Sequence, residues 1–106
     1  MNPKPGDVWL VDLGIAAKTR PVVVVSRYDT NPPRALIIYV PLTTQYRHSH
    51  YEVSLPKLNF LKQDSFANIQ GLGSIPRTRL DRKLGELPNE TLQKIRQAIV
   101  FTLGLE

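Results

Sequence analysis

Four β-branched residues in a row, Val22–Val25, set the tightest limit on what this chain folds into. Valine side chains lose rotamer freedom in a helix but pack well on a pleated sheet. A run with no polar face suits a strand buried on both sides, in the middle of a sheet. Pro21 stands just ahead of the run, where its missing N–H can fall outside the ladder. A second β-rich run, Val8–Leu13, follows the turn signal Gly6-Asp7. The short loop Gly14–Thr19 joins the two and delivers Lys18, Thr19 and Arg20 to the root of the central strand. Cations held at the root of a hairpin are placed to meet a phosphate.

The rest of the chain extends this β pattern. Ala35–Leu42 predicts a third strand that ends in the hydroxyl and amide cluster Thr43-Thr44-Gln45. A polar, partly basic loop, Tyr46–His50, leads to Tyr51–Leu55, where apolar and polar residues alternate as in a half-buried strand. Ser65–Gln70 is a further strand, Gly71 and Gly73 mark a bend, and Ser74-Ile75 resumes pairing. Arg77–Lys83 reads as a solvated charge run, and Leu84–Leu87 as the turn into the one strong helix. Pro88 opens that helix, Asn89 and Glu90 suit its first turn, and Leu92, Ile95, Ile99 and Leu103 form its apolar stripe. Gly104 is the expected stop. Five or six short strands and then one helix predict a mainly β fold. The architecture is a small antiparallel barrel with a C-terminal helix, one domain over residues 1–106.

Charge and composition narrow the function. Fourteen Lys and Arg stand against nine Asp and Glu, a formal net charge of +5, which favours an anionic partner, nucleic acid first. Cysteine is absent, so a disulfide framework, a thiolate nucleophile and a thiolate metal site are excluded. His48 and His50 lack an evident third ligand, so neither a metal nor another cofactor is expected. The start MNPKPGD has no apolar core of a signal peptide, and no apolar run reaches the roughly 20 residues that span a bilayer. The expectation is a cytoplasmic protein with no membrane partner.

Four motifs, in order, resemble those of the MazF/PemK/Kid family of toxin endoribonucleases. They are Gly6–Leu13, Thr19–Ser26 with its Arg20-Pro21 step, Val40–Gln45 with Pro41-Leu42-Thr43, and the closing segments Ser65–Gln70, Arg79-Leu80 and Lys83–Leu87. The resemblance covers nearly the whole chain. It implies an SH3-like barrel, a homodimer, and metal-free cleavage of single-stranded RNA to a 2′,3′-cyclic phosphate and a 5′-OH. It also implies a cognate antitoxin that binds through a disordered segment. Carried over by position, Arg20 and Thr43 correspond to the family's catalytic pair. Lys18, Thr19, Thr44, Tyr46, Arg47, His48 and Gln70 are the candidate RNA contacts around them.

The resemblance has departures. Gly14–Thr19 is shorter than the family's Gly-rich loop. Gln70 stands where many members have an acid, Gly71 where glutamine is frequent, Gly73 where many have arginine and Pro76 where many have aspartate. A slow enzyme, a different cleavage motif and an RNA-binding module that does not cut all stay open. A gyrase poison of the CcdB kind shares the fold, but relies on a Trp-Gly-Ile-type end where this chain has Leu103-Gly104-Leu105-Glu106. The general base is equally open. His48 or His50 has suitable chemistry, against the plainer reading of two exposed loop histidines. Trp9 either stacks on a base or belongs to the core.

Overall fold

The computed structural model describes residues 2–14 and 18–106. Residues 15–17 of the Gly14–Thr19 loop, including its expected brevity as a structural feature, lie outside the described residues. Among the described residues, seven strands and one α-helix follow in chain order: β1 (Asp7–Asp12), β2 (Thr19–Val24), β3 (Leu36–Thr43), β4 (Glu52–Ser54), β5 (Phe66–Asn68), β6 (Gly73–Pro76), β7 (Leu80–Glu86) and α1 (Asn89–Leu103). The strands run β4-β5-β3-β2-β1-β7, with β6 pairing to β3 beside β5, and every pairing is antiparallel.

β2 is the central strand that its valines require. Val22, Val23 and Val24 are fully buried. Their alternation sends Val23 into one core and Val22 and Val24 into another. The first core joins Val8, Val40, Val53, Ala67 and Ile69 to the helix residues Ile95 and Ala98. The second gathers Trp9, Val11, Ile37 and Leu80 on the opposite side of the sheet. Trp9 is therefore core, 5% exposed, and not a free stacking surface.

β7 corrects the reading of Leu84–Leu87 as a turn, while Arg79, Asp81, Arg82 and Lys83 are exposed, as expected of a solvated run. Leu80–Glu86 pairs with β1, from Val11↔Leu80 to Asp7↔Glu86. Two register shifts leave Asp81 and Leu84 as extra residues on β7. Each bulge resets the two-residue period, so no alternation survives in the sequence. The strand's charges also suit an edge, where they discourage pairing with another chain. One of them has a partner inside the fold. Lys83 Nζ lies 3.4 Å from the buried Asp7 carboxylate and 2.8 Å from that of Glu86.

The helix begins one residue after Pro88 and stops at Gly104, whose φ of 66° is the left-handed cap conformation. The Gly104 N–H donates to Phe101 O at 3.1 Å, and the Leu105 N–H to Val100 O at 2.9 Å. Thr91, Leu92, Ile95 and Ala98 are its buried face. Leu103 is not part of it. At 54% exposure, it overhangs the barrel with Phe101 and Leu105. Tyr51 and His50 rest against Phe101, with ring centroids 5.4 and 5.9 Å away.

Candidate functional site: two clefts that share Thr43

β2 and β3 pair through Val24↔Tyr39, Val23↔Val40 and Val22↔Pro41. Continuing that register by two residues sets Arg20 opposite Thr43, where the two strands part. Arg20, Pro21, Leu42, Thr43, Thr44 and Ser65 line an open cleft of about 380 Å³ there. Arg20 is exposed and makes no ion pair or side-chain hydrogen bond among the described residues. Thr43 Oγ1 accepts the Gln45 N–H at 3.1 Å. That bond uses an acceptor position and leaves the hydroxyl proton available to a ligand. A guanidinium fork beside a hydroxyl donor is a site for a phosphate.

A second cleft of about 310 Å³ lies on the other side of Thr43. Thr43, Gln45, Arg47, Ser49, Glu52, Asn68, Gln70 and Gly71 line it. Sheet register explains the grouping. Thr43 pairs with Phe66, Phe66 with Ser54, and Asn68 with Glu52. Ala67 and Val53, between them in sequence, point into the core. The alternate residues Phe66 and Asn68, Glu52 and Ser54 therefore face out with Thr43.

The loop after β3 folds over this outward face and is fixed there. Tyr46 stacks on Phe66 with parallel rings 4.5 Å apart, and His48 leans on Tyr46 at 4.2 Å. His48 has φ 56°, a left-handed conformation that the stacked ring and its neighbours hold in place. Glu52 pins the loop from below. Its Oε1 accepts the backbone N–H of Arg47 and of Ser49 at 3.2 Å and the Ser49 hydroxyl at 3.0 Å, while Oε2 accepts the Arg47 N–H at 3.1 Å. Partial burial pushes the Glu52 carboxyl up. The donors of Arg47 and Ser49, with the Arg47 charge, outweigh that effect and hold it below the ordinary value of 4.5. A carboxylate depressed in the fold stabilises it above the unfolded value and loses that contribution as pH falls through the folded value. Glu52→Gln is thus expected to melt below the parent at pH 7, with the gap closing below pH 4.5, as thermal melts at both pH values will measure.

The structure divides the candidate residues into groups. Arg20, Thr43 and Thr44 share the first cleft, and Arg47 and Gln70 join Thr43 in the second. Lys18 and Thr19 are exposed at the approach to Arg20, without lining either cleft, and Tyr46 and His48 stiffen the adjoining loop. Neither histidine lines the Arg20–Thr43 cleft. Gln45, Glu52, Asn68 and Ser65 were not among the candidates. Glu52 reads in sequence as the polar half of an alternating strand, and nothing local marks it as the anchor of a loop. The glycines that depart from the family pattern have a packing cause. A Cβ at Gly71 would lie 2.6 Å from Pro41 Cγ, and one at Gly73 would lie 2.8 Å from Tyr39 Oη. Pro41 and Tyr39 occupy the space a side chain at either position would need. Among the described residues, no three His, Cys, Asp or Glu side chains gather as a metal-binding group, and no helix is long and apolar enough to cross a membrane.

Comparison with known proteins decides the family. Residues 4–103 match the family described as PemK-like, MazF-like toxin of type II toxin-antitoxin system. The chain belongs to this family. Endoribonuclease MazF1 of Mycobacterium bovis is 31% identical over 103 residues, covering 97% of this chain and 94% of the relative. Endoribonuclease MazF4 of Mycobacterium tuberculosis gives the same figures. Among solved structures, a mycobacterial endoribonuclease in complex with its cognate antitoxin superposes with a TM-score of 0.85, at 29% identity, covering 98% of this chain and 97% of that one. Mycobacterium tuberculosis toxin MazF-mt6 superposes with a TM-score of 0.82 at 26% identity, covering 94% and 98%. These likenesses agree with the SH3-like barrel expected of a MazF-like toxin, and the mostly antiparallel sheet with one C-terminal helix is the form it takes here.

Proposed function

We propose that the Arg20–Thr43 cleft is the cleavage site of a sequence-specific, metal-independent endoribonuclease that cuts single-stranded RNA. The chain is a toxin endoribonuclease of the PemK/MazF-like family. The observation that carries the catalytic reading is the convergence of Arg20 with Thr43 at the parting of β2 and β3. In-line attack by the substrate's 2′-OH forms the bond to phosphorus as its proton passes to solvent, and the bond to the 5′-oxygen breaks as that oxygen takes a proton from water. The products are a 2′,3′-cyclic phosphate and a 5′-OH. Arg20 bridges two phosphate oxygens as their charge rises in the transition state, and Thr43 donates its hydroxyl proton beside it. A guanidinium keeps its proton at any physiological pH, so this is electrostatic stabilisation and not proton exchange. The cleft lining contains no carboxylate or imidazole, so solvent water carries the protons in this reading. Single strands suit an open, basic face because their bases are free to splay.

Two protein partners complete the reading, a second copy of the chain and a cognate antitoxin. The exposed apolar residues Phe101, Leu103 and Leu105 at the helix end, and Leu36 and Ile38 on β3, support association with protein. The solved mycobacterial relative in complex with its antitoxin supports the second partner.

Substituting a 2′-deoxy sugar at the cut nucleotide tests the chemistry. The expected result is that the substituted strand binds and stays intact, while the all-ribose strand gives products with a cyclic phosphate. Equal cleavage of the two strands would rule out attack by the 2′-OH.

A further inference from the structure

The second cleft has features of a base-reading site. It touches the first through Thr43, so a nucleotide whose phosphate sits against Arg20 has its base within reach of the cleft. Its lining brings together one carboxylate and three side-chain amides, Glu52 with Gln45, Asn68 and Gln70. Gln45 is engaged by Arg47, whose Nη2 donates to it at 3.4 Å. The Asn68 and Gln70 amides make no side-chain hydrogen bond among the described residues. They line the cleft with donors and acceptors unspent.

We propose that this cleft binds a guanine base of single-stranded RNA, read by Glu52 and Asn68, beside the phosphate held by Arg20 and Thr43. The proposal rests on the cleavage-site reading for its position, and on the cleft's own chemistry for the base. Ionised Glu52 is acceptor-only. Its Oε1 is filled by three donors, but Oε2 accepts just one, from the Arg47 N–H. Oε2 therefore retains capacity for a donor from a ligand. Guanine alone among the four bases has two neighbouring donors, N1–H and N2–H, on its Watson–Crick edge, so either reaches the one open oxygen with the other donor beside it. Its O6 acceptor stands next to them, matched to an amide N–H of Asn68, which pairs across the strands with Glu52. Uracil sets its single N3–H between two carbonyl oxygens, which a carboxylate repels. Cytosine and adenine each place a ring-nitrogen acceptor beside their amino group, against the same charge. The loop that holds Glu52 is stacked and hydrogen bonded before any ligand arrives, so the cleft is preorganised.

The test is binding of short, uncleavable 2′-O-methyl RNAs that differ in one base, measured by fluorescence anisotropy with the parent protein, Glu52→Gln and Asn68→Ala. The parent is expected to bind the guanine strand about tenfold more tightly than the adenine, cytosine and uracil strands, the size of one well-placed base contact. Inosine, which lacks the N2 amino group, should fall between. Glu52→Gln should remove most of the contrast by placing a donor where an acceptor was needed. Asn68→Ala, which takes no hydrogen bond from the loop, should weaken the guanine strand alone. Equal affinity for all bases in the parent, or an unchanged guanine contrast in both variants, would overturn the proposal. Cleavage of the matching all-ribose strand is scored separately. Guanine-selective binding with the strand left intact would sink the cleavage reading and leave the guanine cleft standing.

Discussion

Replacing Arg20 with alanine is expected to lower RNA cleavage about 10²–10³-fold, the usual cost of removing one preorganised donor from a developing oxyanion. The fold should be indifferent to the change. Arg20 is exposed and tied to no other side chain among the described residues, so its loss falls in the class of surface substitutions that move stability by no more than about 0.5 kcal/mol. Single-turnover cleavage rates and a thermal melt of the same preparation separate the two effects. Arg20→Lys distinguishes charge from shape. A lysine restores the charge but not the two-pronged contact, so partial recovery is expected. Full activity in Arg20→Ala would remove this side chain from the mechanism.

The largest effect on stability is expected at Ile95. Its side chain is fully buried in the core that joins the helix to the strands. Ile95→Ala removes buried apolar volume at a place where helix and sheet meet, and should cost about 2–5 kcal/mol. For a domain of this size each 1 kcal/mol moves the midpoint by roughly 4–8 °C, so thermal or urea unfolding will resolve it easily. Leu103→Ala is the control from the same apolar stripe. It overhangs the barrel, 54% exposed, and in the isolated chain should change stability by no more than about 0.5 kcal/mol. An equal loss at both positions would mean that the helix end packs in solution as the first part does.

The contrast between Ile95 and Leu103 shows how far helical periodicity can be read. Spacing puts both residues on one face, and it cannot say where the sheet beneath ends. Gly104 was legible because a left-handed cap needs a specific residue type. β2 was legible for a related reason. Three fully buried valines in succession suit only a strand with a core on either side. β7 was hidden because its two bulges erase the alternation, and its exposed charges carry no mark of a strand. Arg20 and Thr43 are 23 positions apart, and residue types alone do not fix which strands pair or in what register. Their correspondence to a catalytic pair came from family motifs, and their convergence from the β2–β3 ladder. Glu52 and Asn68 were hidden more completely. A polar residue in an alternating strand normally faces water, and the return of the 44–50 loop is what makes a cleft of that face. The two histidines reverse the case. Their chemistry suggested a proton acceptor, and their positions on the loop keep them out of the Arg20–Thr43 cleft.

The most direct measurement is primer extension across a long, unstructured RNA incubated in EDTA with the parent protein and with Arg20→Ala. Discrete cuts by the parent, absent with the variant, are the predicted result. They would establish metal-independent, sequence-specific cleavage and place Arg20 at the reacting phosphate. Intact RNA with the parent, or the same cuts with both proteins, would contradict the account.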